Sequence, residues 1–156
     1  MKERDLADLF RKLGARDPAV WARSQVEEGL PQLARFIFLR QAWKLVVADH
    51  DRGWLSEFAE DDQRGPGGAI GPALKRLLAL GVSEDDLTTV VRVMQWRVLS
   101  GLCQLLDDPG NLESEVEDIA WRLFEVDEND RPIAAISGLH ESVLETEPSG
   151  REIRSA

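Results

Sequence analysis

The chain has 156 residues, 43% of them hydrophobic, and a net charge of −10 at pH 7. This length and apolar content suit one ordinary domain with a buried core. The acidic balance argues against direct binding of nucleic acid, because that affinity depends on Lys and Arg side chains displacing counterions.

The surroundings of the protein are indicated by its cysteine content and its hydropathy pattern. Cys103 is the only cysteine, so no intramolecular disulfide forms and a reducing compartment is favoured. Residues 1–10 lack the apolar core of a secretory signal. The longest apolar stretch, around 87–106, is interrupted by two arginines and two glutamines, so no membrane span is predicted. We therefore expect a cytoplasmic protein without a membrane partner.

The pattern of the first half of the chain predicts a succession of helices. Apolar residues at helical spacing predict a helix over 3–13, and a second helix begins at Pro18 with Asp17 as its N-cap. The next stretch is apolar over much of its circumference. A row of residues at helical spacing continues along it through Trp43, Val47, His50, Trp54 and Phe58. This row predicts a helix that bends past Gly53. Glycines and prolines predict a loop over 60–72, followed by a short helix over 72–80.

The longest predicted helix begins after Ser83, a suitable N-cap, and ends at the turn-forming residues 107–111. Acids in its first turn complement the helix dipole. Its apolar positions predict an inner stripe of Leu87, Val90, Val91, Met94, Val98, Leu102 and Leu105.

The region after residue 112 allows two structures. Ser114 and Glu117 form a capping box ahead of apolar residues at helical spacing, which predicts a further helix. The competing interpretation is a small hairpin of residues 122–126 and 132–136. We therefore predict an all-α fold, an irregular bundle of six or seven helices, with a β-hairpin near 122–136 as the open alternative. A single domain is predicted over 1–147, with a mobile C-terminal tail over 148–156.

Catalytic and cofactor motifs are missing from this sequence. The pair His140–Glu141 lacks the second histidine of a zinc-protease helix, and no nucleophile elbow or phosphate-binding loop is found. Residues 127–130 begin like a calcium loop, but Arg131 and Pro132 stand where a ligand and a glycine are needed. We therefore predict no catalytic residues and no cofactor, and a non-catalytic role is favoured over an enzyme.

The excess negative charge lies almost entirely in one window, residues 107–130, which we call the acidic segment. It holds ten acids and a single base, Arg122, whereas the rest of the chain is nearly neutral. The sequence therefore predicts a protein-interaction or regulatory module that docks a basic protein partner. The candidate docking residues are Glu113, Glu115, Asp118, Glu125 and Asp127. A solvated helix face is the alternative role of these charges.

The second functional hypothesis is a small-ligand or metal site with enzymatic potential. Its candidate ligands are the two histidines and two neighbouring carboxylates, namely His50, His140, Asp49 and Glu141. A homodimer through a face that carries tryptophans is a further open alternative.

Overall fold

A computed structural model describes residues 1–60 and 67–150. Within these ranges the chain forms seven helices and one two-stranded antiparallel sheet, which confirms the all-α multi-helix fold and the small hairpin. Contacts divide the chain into two compact units, unit 1 (residues 1–43 and 98–156) and unit 2 (residues 44–97). The single domain predicted over 1–147 stays a prediction, and residues 151–156 of the predicted tail lie outside the described ranges.

The elements follow in chain order. The helices are α1 Glu3–Leu13, α2 Pro18–Glu28, α3 Gln32–Trp43, α4 Gly53–Glu60, α5 Ile70–Ala79, α6 Glu84–Asp107 and α7 Leu139–Ser142. The strands are β1 Leu123–Val126 and β2 Pro132–Ile136. Among the described residues no helix is both long enough and apolar enough to cross a membrane. Part of the loop predicted over 60–72, residues 61–66, lies outside those residues.

The core of unit 1 is built by α1, α2 and α3. Phe10, Trp21 and Phe36 pack with ring centroids 5.3–5.8 Å apart, two of the three pairs edge to face, as aromatic quadrupoles prefer. Helix α1 ends at Gly14, whose positive φ allows its N–H to reach the carbonyls of the last turn. The first two predicted helices are thereby confirmed.

A buried arginine connects α3 to the chain after the hairpin. Arg35 lies over the ring of Trp21 at 5.7 Å from its centroid, and its Nη1 donates to the Gly138 carbonyl at 3.2 Å. Its Nε donates to Gln32 at 2.9 Å. Trp43 adds a second link by donating its indole N–H to the Val143 carbonyl at 2.7 Å. These bonds satisfy buried polar groups that would otherwise be costly.

Unit 2 has its own core of Trp54, Leu55 and Leu74. The Trp54 indole donates to the Thr88 hydroxyl at 3.1 Å, so the start of α6 is bound to α4. The helix predicted to bend past Gly53 is wrong, because α3 ends at Trp43. His50 is exposed and has φ of 61°, a left-handed backbone conformation that a right-handed helix cannot contain.

Helix α6 begins and ends where predicted, but its inner face is not the predicted one. The Ser83 hydroxyl accepts the Asp86 N–H at 3.4 Å, a weak bond at the predicted N-cap. Of the predicted inner stripe, Leu87 and Val91 are half-buried and the other five side chains are exposed. The buried positions are instead Thr88 in unit 2 and Leu99 and Cys103 in unit 1. Apolar residues occupy more than one face of this helix, so periodicity alone pointed to the wrong one.

The helix predicted after Ser114 is also wrong, since residues 114–118 form only turns. An isolated helix of this length is marginal in water, and the capping box alone does not stabilise it. The hairpin alternative is confirmed, with Leu123 opposite Ile136 and a register shift between Glu125 and Val126.

Candidate interaction surface

The acidic segment is attached to the C-terminal end of α6. The last carbonyls of a helix have no partner within it and need other donors. The Trp121 indole donates to the Leu105 carbonyl at 2.6 Å, and Arg122 Nη1 donates to the Asp107 carbonyl at 3.0 Å. The only base in the segment is therefore bound to backbone oxygens, including that of Trp121 at 3.3 Å. Arg122 forms no ion pair with the acids around it in the part of the chain that the structure describes.

Asp107, the first acid of the segment, has a structural position. Its side chain is only 8% exposed, and its Oδ2 accepts the backbone N–H of His140 at 2.9 Å and lies 2.6 Å from the imidazole Nδ1. Burial raises the pKa of this carboxyl, but hydrogen bonds from His140 and the Leu139 backbone outweigh burial and hold its pKa below the usual value. Asp107 thus joins the end of α6 to the start of α7.

Most of the remaining acids face solvent. The exposed members are Asp108, Glu113, Glu115, Glu117, Asp118, Glu128 and Asp130, whereas Glu125 and Asp127 are half-buried. None of these carboxylates forms an ion pair with another residue in 1–60 or 67–150. The charges of the exposed members are therefore open to solvent and to a partner.

Two of the predicted docking residues are engaged in the hairpin. Asp127 Oδ1 accepts the backbone N–H groups of Asn129 at 2.8 Å and Arg131 at 3.0 Å, which closes the turn between the strands. Glu125 lies opposite Ala134, on the same half-buried face as Leu123. Glu113, Glu115 and Asp118 are the predicted docking residues that are fully at the surface.

Apolar side chains are exposed in the same part of the chain. Phe124, Val126 and Ile133 share the outer face of the hairpin, and Ile133 is 61% exposed. Ahead of the hairpin, Val116 and Ile119 are also exposed between the acids. Large apolar side chains at the surface beside charged ones are typical of a protein-interaction surface. This exposed apolar surface was not predicted from the sequence.

The candidate metal ligands are distributed over the two units. Asp49 and His50 belong to unit 2, whereas His140 and Glu141 belong to unit 1. Within residues 1–60 and 67–150, no three His, Cys, Asp or Glu side chains are grouped so that they could hold a metal ion. Asp49 lies 3.5 Å from Arg92 and His140 lies against Asp107, so both have partners of their own.

Cys103 is buried at 1% exposure, one helical turn before Asp107. Burial, with a smaller contribution from the Asp107 charge, raises the pKa of its thiol to about 11. A thiol with this pKa is protonated at neutral pH and is not an active nucleophile. Cys103 is therefore a buried structural residue.

Comparison with protein-family models, curated proteins and solved structures found no match to this chain. A functional assignment therefore rests on the fold class and on the exposed acidic surface.

Proposed function

We propose that this protein is a non-catalytic interaction module of the cytoplasm that docks a basic protein partner through its acidic segment. The observation that carries the proposal is the set of exposed carboxylates at 113–118 that have no ion-pair partner in the described ranges, with exposed apolar side chains between them. The single buried cysteine supports a reducing compartment.

The chemistry of the surface defines the partner. Carboxylates such as Glu115, Glu117 and Asp118 attract Lys and Arg and accelerate association, although rim charges add little affinity by themselves. Affinity comes mainly from apolar anchors that are desolvated on binding. Val116 and Ile119 are available for this role. The matching partner is a segment in which basic residues flank apolar ones.

The test compares two variants with the same change in charge. In the first, Glu115, Glu117 and Asp118 are all changed to Lys. In the second, the control, three exposed acids elsewhere are changed to Lys, namely Glu27, Glu57 and Glu60. Each variant starts from a net charge of −10 and alters it equally. Wild-type protein and both variants serve as bait in extracts of the source cells, and bound proteins are identified by native mass spectrometry.

The expected result is a basic partner that binds wild-type protein and the control variant and is lost from the first variant. The wild-type complex should weaken as salt is raised, because rim charges are screened within about 8–10 Å at physiological ionic strength. A partner held equally by all three proteins, or the absence of any basic partner, would refute the proposal.

A further inference from the structure

The outer edge of strand β1 carries backbone groups that no other part of the described chain pairs. The sheet has two strands, so β1 has a neighbour, β2, on one side only. Within residues 1–60 and 67–150, no backbone or side-chain group outside the hairpin forms a hydrogen bond with the backbone of Leu123–Val126. The N–H and C=O groups on this edge are therefore free to pair with a further strand.

This edge is held in place at both ends. Immediately before β1, Trp121 and Arg122 donate to carbonyls at the end of α6, and immediately after it Asp127 accepts the N–H groups that close the turn. An edge that is already ordered loses less conformational entropy when a partner binds. The edge of β2 is less suitable, because β2 begins with Pro132, which has no N–H to donate.

The side chains of β1 define the charge of the strand that fits this edge. Phe124 and Val126 lie on the outer face of the hairpin and are 43% and 47% exposed. Glu125 lies between them on the opposite, half-buried face and forms no ion pair in the described ranges. A charge on the inner face of an edge strand opposes pairing with a second copy, because two Glu125 carboxylates would then lie on one face of the combined sheet. A strand with Lys or Arg at this position supplies the opposite charge instead.

We propose that the basic partner binds as an extended segment that adds a third strand to the hairpin along the outer edge of β1. Its apolar residues, at alternate positions, pack against Phe124 and Val126, and the basic residue between them lies beside Glu125. Main-chain hydrogen bonds supply affinity in this mode of recognition, and the alternating side chains supply specificity. Strand β1 has four residues and a length of about 13 Å, so the contact reads a short apolar–basic–apolar pattern.

This inference rests on the proposed function, in which a basic partner is attracted to the acidic segment, and it adds the conformation in which that partner binds. The exposed carboxylates at 113–118 attract the partner, and the edge of β1 orders it. The two steps depend on different residues, so they can be tested separately.

The test uses two synthetic peptides and needs no substitution in the protein. The first is a peptide of about eight residues in which Val and Lys alternate, a typical strand length. The second has the same side chains and charge, but its central backbone nitrogens are methylated and cannot pair with a strand. Each is titrated into the full chain while amide hydrogen exchange is followed by NMR. We expect the first peptide to slow exchange within Leu123–Val126 and the methylated peptide to bind at least about tenfold more weakly.

A pair of variants examines the position of Glu125. Glu125→Lys should weaken binding of the first peptide about tenfold, because attraction at this position becomes repulsion. The matched control is Glu128→Lys, which makes the same change in charge at an exposed turn position and should weaken binding by less than about threefold.

Three results would overturn strand pairing: no binding of the first peptide, equal binding of the two peptides, or equal effects of the two variants. Slowed exchange in β1 that grows with protein concentration in the absence of peptide would show that a second copy takes the edge, and would also overturn it. If a basic partner is captured through the carboxylates at 113–118 while both peptides bind equally, strand pairing fails and the proposed function stands.

Discussion

The contact between Asp107 and His140 predicts a measurable loss of stability when the carboxylate is neutralised. In Asp107→Asn, the side chain keeps one carbonyl oxygen for the two donors of His140 and loses its charge. A hydrogen bond to a charged group contributes about 1.5–3 kcal/mol to stability. Asp107 accepts two such bonds from His140, and the amide oxygen of Asn retains part of one of them. We expect the free energy of unfolding at pH 7 to fall by about 2 kcal/mol. For a chain of this length, that corresponds to about 4–8 °C in Tm.

The assay is urea and thermal unfolding of wild-type protein and Asp107→Asn, with Asp118→Asn as the matched control. Asp118 is exposed and makes no ion pair within the described ranges, so its neutralisation should change stability by less than about 0.5 kcal/mol. His140→Ala and the double variant complete a thermodynamic cycle, and we expect a coupling energy of about 1 kcal/mol between the two side chains. A destabilisation of Asp107→Asn no larger than that of Asp118→Asn would refute the structural role of this carboxylate.

The pH dependence of the same pair has a definite sign. Because the pKa of Asp107 is lower in the folded than in the unfolded protein, its ionised form stabilises the fold above the ordinary Asp pKa of about 3.9. That contribution is lost as pH falls through the lower, folded pKa. The stability difference between wild type and Asp107→Asn should therefore shrink as the pH falls below about 4. A difference that stays unchanged in acid would contradict this assignment.

Three further predictions address the links around this site. Gly138→Ala should lower the free energy of unfolding by about 2 kcal/mol, because φ is 71° and the new Cβ would overlap the guanidinium of Arg35. An unchanged midpoint of the urea unfolding curve would contradict this. Trp121→Phe removes the donor to an α6 carbonyl and should lower the free energy of unfolding by about 1 kcal/mol. Trp96→Phe removes an indole N–H that has no partner in the described ranges, so its effect on the free energy of unfolding should be smaller. The reverse order would argue against the capping role of Trp121. Cys103 should not react with a thiol reagent in the native protein at pH 7.5 and should react fully in urea, and rapid native labelling would show that its burial is wrong.

The helices of the first half could be predicted because local chemistry decides them. Pro18 suits the first turn of a helix, and Gly14 and Gly29 adopt the left-handed conformation that ends one. These preferences act within a few residues and need no knowledge of the rest of the fold. The bounds of α6 are decided in the same way, by Ser83 at one end and the turn after Asp107 at the other.

The orientation of α6 could not be obtained by the same reasoning. Periodicity predicts which residues share a face, but it does not say which of two apolar faces is covered. In this helix Leu99 and Cys103 are buried, whereas Val98 and Leu102 beside them remain exposed. The choice depends on the elements that pack against the helix, and these come from distant parts of the sequence.

The acidic segment illustrates the same limit at the candidate site. Its concentration of negative charge follows directly from the residue composition, whereas its predicted helix was wrong. Trp121 and Arg122 bind carbonyls at the end of α6, sixteen and fifteen residues earlier, and the chain then continues as a strand. Such a contact has no signature in local spacing.

The sequence by itself determined the all-α class, the helix ends that carry capping residues and the concentration of negative charge in one window. Each of these depends on residue type and near neighbours, which the chain carries in any conformation. Only the tertiary structure decided which face of α6 is exposed, that residues 123–136 form a hairpin, and that Asp107 is held by His140 while Glu113, Glu115 and Asp118 stay at the surface. These outcomes are settled by packing and hydrogen bonds between residues far apart in the chain, where burial and tertiary partners override local preference.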